Sequence, residues 1–441
     1  MQRKFVNYVL IAAVVTALLF TRNVFAQTDS IESISFKFDK ETQCYTVGEE
    51  ASITISVSGK DSLVQSGSLS VAFTNDGRDK VADSVVFDLS KDNPVTVKAS
   101  IDFPGFLQVL AVAKSVDGAM NKSALAGAAF DPEKIEPGLP KPDDFDEFWS
   151  NGKAEIQKLP LDLQQKKLEE LSDEEVDVFS VNFATVNDSR VYGYLCVPKK
   201  GNAPYPALVN VPGAGPGVGP EIRYAKQGFV VLNMNVFPYE VPLDSAKRQE
   251  MYDQYNKDLG MRYCYFNASD RNNYFFRAAY LGIDRAIDWL AEQDYVDVNR
   301  MGYYGTSQGG ASALILGGLN DHFCAILSSV PALCDHGGLE KGRSSGWPRI
   351  VDFYHGDPKV LEASRYLDAV NFARNIDKAS IEVTVGFIDG VCSPSSVYAA
   401  YNVIPSKNKI ILHETGLGHQ NGKQYSEAFV RLLERVKNNK L

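Results

Sequence analysis

The residues best suited to covalent chemistry lie in Gly305-Thr306-Ser307-Gln308-Gly309, which fits the pattern G-x-S-x-G. A serine so flanked is a nucleophile for acyl transfer when a strand delivers it and a helix leads away from it. The turn between the two is too tight for a Cβ on either side, which is why glycines flank the serine. The pattern alone is weak, and Gly342-Arg343-Ser344-Ser345-Gly346 matches it as well. Context separates the two. MGYYG reads as a strand before Ser307, and GASALILGGL reads as a helix after it. Ser344 stands between HGGLEKGR and GWPR, with neither, and reads as a loop serine.

A serine nucleophile needs a general base, and the base needs a carboxylate to orient it. The chain order for a strand-turn-helix serine is serine, acid, histidine. All five histidines follow Ser307: His322, His336, His355, His413 and His419. His419 lies in Gly416-Leu417-Gly418-His419-Gln420, a flexible loop between a strand and the last helix, and is the expected base. His413 is nearer the strand end and is a structural residue or the alternative base. His322 reads as a surface or partly buried structural histidine. The expected acid is Asp389 in Gly386-Phe387-Ile388-Asp389-Gly390, directly after a strand, with Asp335 as the second candidate. An Asx-turn before Gly390 is the purely structural reading of Asp389. The backbone N–H of Gln308, in the first helical turn, is placed to donate to a tetrahedral oxyanion. The second donor is expected from Pro212-Gly213-Ala214-Gly215-Pro216-Gly217. That loop lacks the GKS/T ending and the GxGxxG spacing of a phosphate cradle.

These groups need a scaffold, and the hydrophobic pattern describes one. Ala207 to Val211, Phe229 to Met234, Met301 to Tyr304, Ile381 to Phe387 and Lys409 to Leu412 read as short apolar strands. Phe276 to Leu290, Ala311 to Leu316 and Tyr425 to Lys437 read as helices. Apolar strands alternating with helices imply a mainly parallel sheet covered on both faces, an α/β domain over about 143–441. Before it the period changes. Ala51, Ile53, Ile55 and Val57 alternate with Ser52, Thr54, Ser56 and Ser58, and Val95, Val97, Ala99 and Ile101 alternate likewise. Turn signals at Ser58-Gly59, Ser66-Gly67, Asp76-Gly77, Asn93-Pro94 and Pro104-Gly105 punctuate this stretch. Period two with such spacing predicts a small all-β, immunoglobulin-like sandwich over 27–130. Residues 131–142, DPEKIEPGLPKP, read as the linker, because proline-rich segments stay extended.

Composition narrows the function classes. The 441 residues carry a net charge of −10, which argues against a nucleic-acid partner. Hydrophobic residues make up 44% and charged residues 23%, which excludes wholesale disorder. Six cysteines without CxxC or metal-ligand spacing exclude a disulfide scaffold and read mostly as buried small hydrophobes. Arg3 and Lys4, the uncharged run Tyr8 to Phe20 and the small residues around Val24-Phe25-Ala26 predict a signal peptide over 1–26. Cleavage is expected before Gln27, with export to the periplasm or medium and no membrane span afterwards.

The stretch from about 140 to 435 resembles the acetyl xylan esterase / cephalosporin C deacetylase family of α/β-hydrolases. The resemblance rests on PKPDDFDEFW at 140–149, RAIDWLAEQDYVDVNRMGYYGTSQGG at 285–310, VPALCD at 330–335 and GFIDGVCSPSSVYAAYN at 386–402. It implies an α/β-hydrolase fold and Ser307, Asp389 and His419 as nucleophile, acid and base. It further implies the backbone amides of Gln308 and Ala214 as oxyanion donors. The activity it implies is removal of O-acetyl groups from xylo-oligosaccharides and cephalosporin C, without a metal or other cofactor. Members often form compact hexamers, so a homo-oligomer is expected. The chain departs from the family at two motifs. Asn233-Met234-Asn235-Val236-Phe237 stands where the family has Arg-Gly-Gln, and His419-Gln420 where it has His-Glu. A serine peptidase or an esterase for a larger acyl or aryl group would share the constellation. A non-catalytic glycan-binding protein is the reading from another class.

Overall fold

The computed structural model describes residues 30–438, so the expected signal peptide lies outside the described residues. The period-two region forms eight strands: β1 (Ser33–Phe38), β2 (Cys44–Tyr45), β3 (Ala51–Ser58), β4 (Ser68–Asn75), β5 (Asp79–Asp88), β6 (Val95–Ala99), β7 (Gly105–Lys114) and β8 (Asn121–Phe130). They make two sheets, in the orders β1-β3-β6 and β2-β8-β7-β4-β5. The alternation read from the sequence is the burial pattern observed. Ala51, Ile53, Ile55 and Val57 are fully buried, and their polar neighbours are half-exposed. The two inner faces share one apolar core that includes Leu69, Val71, Leu107, Val109 and Phe130.

Strand β7 departs from simple alternation. Gly105 to Val109 is buried on both faces, as is the end of β8 from Ala126 to Phe130. Phe106 and Ala129 belong to the core of the second unit rather than to the sandwich. The five-stranded sheet therefore has an outer face that is partly covered by the rest of the chain.

The proline-rich stretch carries no strand, but it is tied down throughout. Asn402 donates to the carbonyls of Pro132 and Ile135 at 2.9 Å each, and Gly138 N donates to Asp335 at 2.6 Å.

The second unit is built on nine strands: β9 (Gln164–Lys167), β10 (Val176–Thr185), β11 (Ser189–Pro198), β12 (Tyr205–Asn210), β13 (Val230–Asn235), β14 (Val296–Thr306), β15 (Phe323–Ser329), β16 (Ser380–Gly386) and β17 (Lys409–Glu414). Their order is β17-β16-β15-β14-β12-β13-β11-β10-β9. The strands from β12 to β17 are parallel, and β9, β10 and β11 are antiparallel additions at one edge. The expected parallel sheet is thus present, with an antiparallel edge that the apolar runs do not announce. The β10–β11 hairpin turns at Asn187 and Asp188, both at positive φ (61° and 48°), which such residues tolerate. Helix Phe275–Ala291 packs on β10 and β11, and helix Lys423–Asn438 covers the opposite face over β14 and β15. Among the described residues no helix is long and apolar enough to cross a membrane.

Register fixes where chemistry can occur. Thr306 of β14 pairs with Ser329 of β15, and Gly386 of β16 pairs with Glu414 of β17. The carboxyl ends of these strands therefore lie level along one edge of the sheet. In an open parallel sheet that edge is where loops can converge on a ligand.

Candidate active site

Ser307 caps helix Gln308–Leu319 with φ 60° and ψ −120°, a conformation rare for a residue with a side chain. The surrounding glycines make this turn sterically feasible. A Cβ on Gly305 would stand 2.3 Å from Gly309 O, one on Gly309 would stand 2.2 Å from Val211 O, and one on Gly310 would stand 2.5 Å from Ser329 O. The backbone of Ser307 is pinned as well: its N–H donates to Ser329 O at 2.9 Å, and its carbonyl accepts from Ala332 N at 3.0 Å.

The expected base and acid meet this serine. His419 Nε2 is 2.8 Å from Ser307 Oγ, and His419 Nδ1 is 2.8 Å from Asp389 Oδ2. Residues separated by more than a hundred positions thus form one hydrogen-bonded line. Asp389 is fully buried, whereas the His419 side chain is 23% exposed. The other Asp389 oxygen accepts from Val391 N at 2.8 Å and Cys392 N at 2.9 Å, so the carboxylate is fixed as an acceptor on both sides. The Asx-turn and the acid role are therefore compatible, one for each oxygen. The two loops are laced together: Ile388 N donates to Leu417 O at 3.3 Å, and a Cβ on Gly386 would stand 2.5 Å from Gly418 O.

The glycine-rich loop after β12 arrives at the same place. The Cβ position of Gly213 is 3.8 Å from Ser307 Cβ and 3.4 Å from Thr306 O. Ala214 follows directly, and Gln308 opens the helix.

The other candidates lie elsewhere. Asp335 is buried in an ion pair with Arg343 (2.9 Å) and accepts from Gly138 N; it has no hydrogen bond to a histidine. His413, on β17 itself, has Nε2 2.6 Å from Tyr398 OH, and burial lowers its pKa. His322 pairs with Asp288 at 3.4 Å, half-buried. His336 is fully buried, and burial pushes its pKa down to about 4. Ser344 lies in an irregular segment, as expected, although it is buried.

Three supporting residues escaped the sequence reading. Asn421, two positions after His419, shares hydrogen bonds with Thr306 Oγ1 (3.0 Å) and accepts from Ser329 Oγ (2.7 Å). It fastens the histidine loop to the elbow. Tyr263, buried in an aromatic cluster, donates its hydroxyl to Gln308 Oε1. Glu414 accepts from the first amides of the last helix. Only Asn421 carried a usable signal, its closeness to His419. At the departing motif, Asn233 donates to Asn210 Oδ1 at 2.7 Å, and Asn235 accepts from Val218 N at 3.1 Å. Short amides thus brace the neighbouring strand and the glycine-rich loop.

The sheet order, the elbow and the line of hydroxyl, imidazole and carboxylate define the class: an α/β-hydrolase-type protein. The family profile of acetyl xylan esterase (AXE1) matches residues 133–435. The chain belongs to this acetyl xylan esterase family, whose enzymes are carbohydrate acetylesterases. It is 31% identical over 316 residues to acetyl esterase Axe7A of Xylanibacter ruminicola, covering 70% of each chain. Among solved structures, acetyl xylan esterase from Paenibacillus sp. R4 aligns with a TM-score of 0.59 at 26% identity, over 69% of this chain and 98% of that one. Acetyl xylan esterase 1 from Thermoanaerobacterium sp. JW/SL YS485 aligns with a TM-score of 0.60 at 23% identity, over 69% of this chain and 97% of that one.

Proposed function

We propose that the protein is an exported serine esterase that removes O-acetyl groups from xylo-oligosaccharides or related glycans. The observation that carries this reading is the unbroken line Ser307–His419–Asp389, with both contacts at 2.8 Å. His419 Nε2 takes the Ser307 proton as Oγ attacks the acetyl carbonyl. The amides of Gln308 and Ala214 hold the oxyanion, and the same imidazole protonates the departing sugar oxygen. Water then attacks the acetyl-serine, giving a proton to His419, which passes it to Ser307 Oγ as the acyl–oxygen bond breaks and acetate leaves. Asp389 holds the imidazole tautomer throughout. The reading includes a signal peptide cleaved before Gln27, an immunoglobulin-like sandwich over 27–130, a linker over 131–142 and the hydrolase domain over 143–441. It also includes assembly as a homo-oligomer.

The test is a substrate panel of acetyl, butyryl and feruloyl esters, acetylated xylan and a peptide amide, run with wild type and Ser307→Ala. Acetyl esters are expected to be the best substrates, and Ser307→Ala is expected to lose at least ~10³-fold in kcat/KM while remaining folded. Full activity in that variant removes the nucleophile, and preference for the amide or the feruloyl ester removes the substrate class.

A further inference from the structure

Residues on two strands of the sandwich meet Phe387 of the acid loop. Phe106 of β7 packs its ring edge-on against Phe387, with centroids 5.1 Å apart and planes at 76°. Gln108, also on β7 and 3% exposed, donates Nε2 to Phe387 O at 3.4 Å. On β8, Gly127 approaches so closely that a Cβ would stand 2.6 Å from the same carbonyl oxygen. Phe387 follows β16 immediately and precedes Asp389 by two positions. The far half of the loop is held by the hydrolase unit itself: Arg349 donates to Gly390 O at 2.6 Å, and Trp347 N to Val391 O at 3.1 Å. The family profile begins only at residue 133, after the last strand of the sandwich. The grip on Phe387 is therefore made by a part of the chain that lies outside the family match.

We propose that Gly127 and Gln108 of the sandwich are positioning residues for the reaction, holding the Phe387 peptide where Asp389 Oδ2 meets His419 Nδ1. The inference rests on the triad reading above. The Gln108 bond is long, so the restraint comes chiefly from close packing: Gly127 lies against the Phe387 carbonyl and Phe106 against the Phe387 ring. Displacing it moves the carboxylate that orients the base, and small misplacements of catalytic groups are expensive in rate.

The test uses the full chain carrying Gly127→Ala or Gln108→Met, each alone and combined with Asp389→Ala, with kcat and KM measured on 4-nitrophenyl acetate and folding followed by thermal melts. Gly127→Ala is expected to lower kcat at least ~10-fold with KM within about twofold. In the Asp389→Ala background it is expected to change kcat less than about twofold, because the group it positions is gone. Gln108→Met keeps the volume and removes the donor. It is expected to lower kcat about threefold with the same loss of effect without Asp389, and it decides the matter should Gly127→Ala not fold. A folded variant with wild-type kcat, or losses that multiply with Asp389→Ala, overturns the inference. Retained activity in Ser307→Ala would instead fail the triad reading, so the two failures are distinguishable.

Discussion

Ser307 sits in a backbone conformation that only its neighbours make tolerable, and each flanking glycine faces a carbonyl oxygen where a Cβ would collide. The strained turn leaves Oγ exposed to the imidazole while the peptide behind it is pinned. Such strain persists only where the surroundings over-determine it. Asn421 is part of those surroundings, because it bonds to the residue before Ser307 and to Ser329, whose carbonyl accepts from Ser307 N. Asn421→Ala is expected to lower kcat on acetyl esters about 10- to 100-fold with KM little changed, since it loosens the histidine loop against the elbow without touching substrate. Steady-state kinetics across an ester concentration series checks this. An equal rise in KM would instead place Asn421 at the substrate.

At the scale of elements, the legible parts were those with a single strong period. The alternating strands of the sandwich, the apolar strands β12, β13 and β16, and helices Phe275–Ala291 and Lys423–Asn438 fall within a few residues of where the pattern puts them. Strand β15 and the edge strands β9 to β11 were not legible. Strand β15 begins with an ordinary apolar run next to a helix, and β9 is a four-residue polar edge strand with no apolar face. The last helix shows how ends are fixed by contacts rather than pattern. Glu414, at the end of β17, accepts from Gln424 N at 2.7 Å and Tyr425 N at 3.3 Å, which satisfies first-turn donors and favours the positive end of the helix dipole. Glu414→Ala is expected to cost about 1–2 kcal/mol in urea unfolding, and Glu414→Gln about half of that, because the amide still accepts. Equal stability of all three proteins would show that the cap contributes nothing.

At the scale of the whole molecule, the junction between the two units is polar as well as apolar. Asn75 donates to Gly342 O at 3.1 Å, Arg78 reaches Asp352 at 3.4 Å, and Phe106 packs on Phe387 and Tyr398. Asp76 is buried there at φ 49°, and burial pushes its pKa up to about 7, with Ser395 and the Arg343 guanidinium drawing it back. The folded-state value lies above the ordinary 3.8, so the folded chain holds a proton that the unfolded chain gives up. The stability associated with that proton is complete below pH 3.8 and is lost as pH rises to about 7. Asp76→Asn tolerates the same backbone conformation and removes the titration. The difference in Tm between Asp76→Asn and wild type is therefore expected to grow in favour of the variant from about pH 4 to pH 7 and then level off. A difference independent of pH would show that Asp76 does not titrate in this range.

The sequence alone singled out Ser307, His419 and Asp389, which the fold brings into one hydrogen-bonded line. G-x-S-x-G needs a strand and a helix around it, and only one of two copies has both. The loops carrying Asp389 and His419 each follow an apolar strand in the required order. These are local rules of backbone geometry and chain order, and they survive without knowledge of the neighbours. Tertiary structure decided which polar residues join the site and which are engaged elsewhere. Asp335 is taken by Arg343, His413 by Tyr398, and Asn421 is drawn to the elbow. It also decided that the sandwich packs on the Phe387 peptide of the acid loop. No periodicity encodes that contact, because it arises where a glycine, an aromatic edge and an amide from distant segments fill the same few ångströms.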